Sequence, residues 1–282
     1  MIRFANQADG LRAARGEGAR VYRLHRASSS PTRTIAVTSG KGGVGKTQIA
    51  ANLAVGLAQK GLKVVLLDAD LGLASLDLAL GLKPQFDLRS VLDGEKNIDE
   101  ILLEGPAGVH LVPACPGRYE MANLNGTERA ALANAVDEVA KKFDVLVIDT
   151  GAGIGGNAVT FASAADDVLL VTTPDPTAVR DAYAMAKVLN RRSGLERIHL
   201  VSNQVASEAE GLELHSRLDA IVRRFLTLEL GYLGCIPRDE SVRQACAAGE
   251  PFVLRSPSSV AARATEGLVR RLGPGASPRE LC

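Results

Sequence analysis

The run Gly40-Lys41-Gly42-Gly43-Val44-Gly45-Lys46-Thr47 constrains this chain more than any other stretch. It follows an apolar strand-like run, Ile35–Ser39. It opens a segment in which Ala50, Leu53, Ala54 and Leu57 recur at helical spacing. Glycines let such a loop turn several backbone N–H groups inward, and the helix behind adds partial positive charge at its N-terminus. A strand–loop–helix unit of this kind fits phosphate oxygens. The G-x-x-x-x-G-K-T spacing gives Lys46 the β- and γ-phosphates of a nucleotide and gives the Thr47 hydroxyl a place on Mg2+. Gly40, Lys41, Gly42, Gly43, Val44, Gly45, Lys46, Thr47 and the following Gln48 are therefore candidate nucleotide-binding residues.

The rest of the chain suits that unit. Apolar runs recur at Val64–Leu67, Val109–Val112, Val145–Ile148, Val168–Thr172, Ile198–Ser202 and Leu230–Gly234, alternating with helical patterns such as Glu128–Lys141. Short continuous runs of Val, Ile and Leu are buried on both faces, as in a parallel sheet covered by helices. The fold class is α/β: a doubly wound, mostly parallel sheet with helices on both faces and a helical N-terminal extension. We divide the chain into a short helix (1–15, with Phe4, Ala8 and Leu11 at helical spacing), a linker (16–33), the main domain (34–272) and a flexible tail (273–282).

Acids stand where the strands end. Asp149 closes the run Val145–Ile148, the Walker B position that holds Mg2+ directly or through water. Asp68 and Asp70 follow Val64–Leu67. A helix cap is the plainer reading for Asp68 and Asp149. Gly151-Ala152-Gly153-Ile154-Gly155-Gly156 also satisfies G-x-G-x-x-G, with Asp175 near the end of the next strand, as in dinucleotide folds. The longer Walker A run already occupies the first strand turn, so we read these glycines as a mobile switch.

Lys41 narrows the class. A second lysine inside the loop resembles the deviant Walker A ATPases, the MinD and ParA family. The resemblance runs from about residue 34 to residue 250. It implies that Lys41 contacts phosphate across a homodimer formed with ATP, a cation supplied in trans. It implies that Asp70, in Asp68-Ala69-Asp70-Leu71-Gly72 up to Asp77, positions the attacking water, with Asp68 supporting the metal shell. Lys41, Lys46 and Asp70 are then the catalytic set, and Thr47, Asp68 and Asp149 the Mg2+ set. Hydrolysis is expected to be slow, since the site offers positioning rather than strong base chemistry. Asn203 resembles the family's adenine reader, and Pro237 its loop over the base. Both are also ordinary turn residues.

Within the family the chain resembles the flagellar number and placement regulators of the FlhG (FleN, YlxH) group. Asn6-Gln7-Ala8-Asp9-Gly10-Leu11-Arg12 is similar to their N-terminal DQAxxLR motif, with Asn6 in place of Asp. The resemblance implies a partner, an FlhF-like GTPase of the signal-recognition type, gripped through Gln7, Leu11 and Arg12. Flagellar switch or C-ring components, or a flagellar transcription regulator, are further partners it implies. The alternatives are a MinD-like division-site ATPase, a ParA-like positioner of DNA or cargo, and a nucleotide-gated anti-activator. Cysteine-pair members are set aside, because Cys115, Cys235, Cys246 and Cys282 form no C-x-x-C. Charge disfavours DNA binding: residues 1–33 carry seven Arg against two acids, leaving 26 basic and 30 acidic residues on the body. No signal-like apolar segment is visible, so a cytoplasmic protein is expected. The Arg-flanked stripe Val260, Ala264, Leu268, Val269 and Leu272 fits either peripheral contact with the inner face of the membrane or a last helix packed on the sheet.

Overall fold

The computed structural model describes residues 32–71, 74–115, 121 and 124–273. The predicted N-terminal helix with Gln7, Leu11 and Arg12 lies outside the described residues, as does the tail from residue 274. Among the described residues eight strands form one sheet: β1 (Arg33–Ser39), β2 (Val64–Ala69), β3 (Leu103–Glu104), β4 (His110–Val112), β5 (Val145–Ala152), β6 (Asp167–Thr172), β7 (Arg197–Val205) and β8 (Glu229–Pro237). Their order across the sheet is β3-β4-β2-β5-β1-β6-β7-β8. All neighbours run parallel except β3, which pairs antiparallel with β4. The apolar runs of the sequence all became strands. Strand β3 was not anticipated, because two residues are too short to display a period.

Alternation along each strand feeds two cores. Ile35 and Val37 of β1 join one apolar cluster and Ala36 joins the other. The first cluster is closed by α1 (Lys46–Gln59), α2 (Leu76–Leu80), α9 (Phe252–Arg255) and α10 (Val260–Leu272). The second is closed by α3 (Leu88–Leu92), α4 (Gly126–Ala140), α5 (Gly156–Ala164), α6 (Pro176–Ser193) and α7 (Glu208–Phe225). Helix α8 (Glu240–Ala248) links β8 to α9 and buries Ala245 in the first cluster. The chain leaves β1 for β2 on one side and later crosses to β6 on the other. In such sheets ligands bind beyond the carboxyl ends of the strands at the point of reversal, here the end of β1 and the loop Gly40–Gly45.

Helix α10 settles the packing of the C-terminal stripe. Leu268, Val269 and Leu272 are buried, and Val269 lies so close to Gly56 of α1 that a Cβ there would come within 2.6 Å of its Cγ2. The stripe faces the core, and only Val260 of its large residues is half exposed. No described helix is long and apolar enough to cross a membrane. At its far end Arg33 ties the domain's first strand to its last helix. Its Nη1 donates to Leu272 O at 2.7 Å, and its Nε to Asp167 Oδ2 at 2.6 Å. Truncating a buried leucine removes transfer energy and leaves a void. Leu268→Ala is therefore expected to lower stability by about 2–5 kcal/mol, read from urea unfolding midpoints at unchanged m-value.

Candidate nucleotide-binding site

The glycine loop ends in Gly45, which caps α1 in the left-handed conformation (φ 89°) with no side-chain hydrogen bond to the first turn. The opening N–H groups of α1 therefore have no side-chain cap, the condition for anion binding. Lys46 heads the helix and is buried. Its Nζ donates to Asp149 Oδ1 at 2.7 Å, and Asp149 itself is wholly buried at the end of β5. Burial raises the Asp149 carboxyl above the usual range, while the Lys46 ammonium pulls the other way. Asp149 Oδ2 has no hydrogen-bond partner among the described residues. A buried carboxylate oxygen left over in this way suits a hard divalent cation. The Thr47 hydroxyl stands nearby, with Ser75 Oγ donating to it at 3.4 Å. These groups fit Mg2+ held through oxygen and water.

Asp68 also organises the neighbouring loop. Its oxygens accept three backbone N–H groups, from Asp70 at 3.1 Å, Ser75 at 3.0 Å and Leu76 at 3.0 Å. The carboxylate thereby pins both ends of the loop that carries Asp70 and caps the start of α2. It is 1% exposed. Burial, and then the charge of Asp149, raise its pKa from 3.8 to about 7. Asp70 is half buried and faces Gly151, where a Cβ would lie 3.6 Å from its Oδ1. Behind Gly151 the second glycine loop is tied to β1 and its end: Thr150 Oγ1 donates to Thr38 Oγ1 at 2.9 Å, and Gly153 N–H to Ser39 O at 2.9 Å.

Lys41 turns toward α6. Its Nζ donates to Thr177 Oγ1 at 2.5 Å and lies 3.5 Å from Asp175 Oδ1. Asp175 caps α6, accepting from Thr177 N at 2.7 Å and Ala178 N at 3.0 Å. Hydrogen bonds from Thr177 lead the effects that hold its carboxyl down at about 2. The sequence reading missed this pair as a partner of Lys41. Asp175-Pro176-Thr177 is a helix-start signal, and nothing local links it to a lysine far upstream. Gly40 also packs on the α6 backbone at Asp181, leaving no room for a side chain.

Asn203, expected to read adenine, lies against the loop, and its Nδ2 donates one N–H to Val44 O at 2.7 Å. The same amide occupies the space a Cβ on Gly45 would need. Pro237 ends β8 opposite Val205. Beside it Arg238 Nε donates to Gln204 O at 2.8 Å. A cleft of about 520 Å³ opens here, lined by Lys41, Val44, Pro174, Asp175, Gln204 and Arg238 among others. It is large enough for part of a nucleotide.

Residues 35–252 match the family described as the CobQ/CobB/MinD/ParA nucleotide binding domain. The chain belongs to this family. Among relatives, the antiactivator FleN of Pseudomonas aeruginosa is 45% identical over 89% of this chain and 91% of its own length. The flagellum site-determining protein YlxH of Helicobacter pylori is 42% identical over 76% of this chain and 72% of its own. Among solved structures, the Pyrococcus furiosus cell division ATPase MinD superposes with TM-score 0.69 at 28% identity, covering 85% of this chain and 98% of that one. MinD of Pyrococcus horikoshii, a complex with Mg-ADP, does so with TM-score 0.69 at 25% identity over 88% and 98%.

The buried Asp68 beside Asp149 makes the fold sensitive to pH. Because the folded-state pKa of Asp68 is raised, the native protein holds a proton the unfolded chain has lost between pH 3.8 and about 7. That contribution is full at low pH and is lost as pH rises through this window. Asp68→Asn removes it. Denaturation midpoints of the nucleotide-free variant should fall less steeply over the window than those of wild type.

Proposed function

We propose that this chain is an ATP-binding, slowly hydrolysing dimerisation switch that regulates flagellar number and placement in the cytoplasm. The observation that carries this reading is the division of labour between two lysines of one glycine loop. Lys46 is buried on Asp149, while Lys41 points outward to a cap on α6. A buried cation serves the nucleotide of its own subunit. An outward cation held by exposed partners is free to be exchanged for a stronger anion, and the triphosphate of a second copy is one.

The geometry supports the following roles. Gly40–Gly45 and the start of α1 offer N–H groups to the phosphates, and Lys46 neutralises their charge. Asp70, carried on a loop pinned by Asp68, orients the attacking water. Mg2+ would supply charge stabilisation at the phosphates, with Thr47 and Asp149 as its holders and Asp68 in support. Asn203 braces the loop from behind, and Pro237 and Gln48 flank the nucleotide. The relative YlxH is a flagellum site-determining protein, which supports the flagellar reading, and FleN is an antiactivator, which supports the anti-activator one. The segment with Gln7, Leu11 and Arg12 would grip an FlhF-like GTPase and stimulate its turnover.

A second reading, an adaptor that binds a transcription regulator or a flagellar switch component, has an observation of its own. Ile221 and Phe225, one turn apart on α7, are exposed, and Arg224 lies over the Phe225 ring at 5.3 Å from its centroid. Arginine beside exposed apolar rings is the composition of protein-docking surfaces. The two readings are compatible, with nucleotide choosing the form that docks.

Sedimentation of Asp70→Ala with ATP and Mg2+ is expected to give a stable dimer, and Lys41→Ala in the same background a monomer. A monomer in the first case at high concentration would argue against the switch. Gln7→Ala should retain ATP turnover while losing stimulation of the GTPase; undiminished stimulation removes that partner.

A further inference from the structure

An asparagine in mid-helix is a poor choice. It competes with the helix for backbone hydrogen bonds and costs free energy when buried unless its amide is paired. Asn52 stands in the second turn of α1 and is wholly buried. Both ends of its amide are used. Nδ2 donates to Gln48 O at 2.8 Å, one turn back, and Oδ1 accepts the Val253 N–H at 3.0 Å. Val253 lies in the first turn of α9, whose N-cap residue Pro251 offers it no side-chain hydrogen bond. Its N–H is one that a helix start cannot satisfy from within. Asn52 therefore hooks the α8–α9 connection onto the helix that begins with Lys46 and Thr47.

The other end of that connection meets α2. Gly81 closes α2 in the left-handed conformation, and a Cβ there would lie 2.7 Å from Gly249 O. A Cβ on Gly249, also left-handed, would lie 3.1 Å from Leu78 O. Backbone rests on backbone. At its opposite end α2 starts from Ser75 and Leu76, whose N–H groups sit on Asp68, and Ser75 reaches Thr47. Helix α2 has five residues, too few to be stable alone. It is held between the site at one end and the Gly249–Val253 segment at the other.

We infer that Asn52 is a positioning residue for hydrolysis: it suspends the segment Gly249–Val253 as a stop against which α2 rests, and so fixes where Asp70 stands relative to Thr47 and Asp149. This rests on the ATPase reading above. Asn52 touches none of the reacting groups and acts through α2. Loss of the hook gives α2 slack along its axis, a displacement that the phosphate grip does not feel and the water-orienting carboxylate does.

The test measures steady-state ATP turnover, affinity for a fluorescent ATP analogue with Mg2+, and thermal melting. The proteins are full-length wild type, Asn52→Ala, Gly81→Ala and the double variant. Asn52→Ala is expected to lose turnover by about tenfold or more through misplacement of Asp70. Analogue affinity should stay within about twofold, since the loop and Lys46 are untouched. Gly81→Ala pushes on the same contact from the other side, so its effect on turnover should be smaller in the Asn52→Ala background than alone. Undiminished turnover in Asn52→Ala overturns the inference, as do independent, multiplying effects in the double variant. If Asn52→Ala melts too low to assay, Gly81→Ala alone decides: reduced turnover at retained affinity supports the stop, and wild-type turnover overturns it. A wild type that binds the analogue without turning over ATP removes the hydrolytic reading, and this inference with it. An active wild type alongside an equally active Asn52→Ala removes this inference only.

Discussion

The buried pair between Lys46 and Asp149 is the interaction on which the site depends. Taking two charges out of water is expensive, and their attraction offsets that cost only at close range and good geometry. The 2.7 Å contact meets the requirement. Breaking such a pair by removing one partner typically costs about 3–5 kcal/mol, so neither residue is free to vary for reasons of stability alone. The pair also couples two strands. Lys46 is set by the loop after β1, and Asp149 by the end of β5, which lies beside β1 in the sheet. Register between these strands, Val37 opposite Asp149, brings the charges together. The parallel sheet is in this sense part of the chemistry.

Around that pair the protein arranges groups by what they are tied to. Asp68 is tied to backbone N–H groups of the loop that carries Asp70, Thr150 and Gly153 tie the second glycine loop to β1, and Lys41 is tied to the start of α6. Each tie connects a segment near the phosphates to a rigid element. Bound anions change the balance of such contacts by competing for the same donors, which is how a small ligand moves large pieces of a fold.

Much of this was legible in the sequence, because periodicity and glycine spacing are local signals. The strand-like runs, the loop Gly40–Thr47 and the helix behind it could be read directly, and the loop's second lysine pointed to the family. Contacts across the chain were not legible. Nothing near Lys41 in the sequence names Thr177, and nothing near Val44 names Asn203; tertiary packing joins them. Asp68 and Asp149 look alike in sequence, each an acid after an apolar run. Only the folded chain shows one accepting three backbone N–H groups and the other with an oxygen to spare. The C-terminal stripe was ambiguous for another reason: an amphipathic pattern says that one face is covered, not by what.

The fastening at Arg33 has a consequence for how signals could travel. Arg33 and Leu272 meet at the amino edge of the sheet, on the pole opposite the phosphates. Strand β1, seven residues long, spans the about 20 Å between that pole and the glycine loop. Anything that tugs the amino-terminal arm thus pulls on the very strand whose other end becomes the nucleotide cradle. Mechanical load, rather than proximity, would be the means by which an event at one pole is felt at the other.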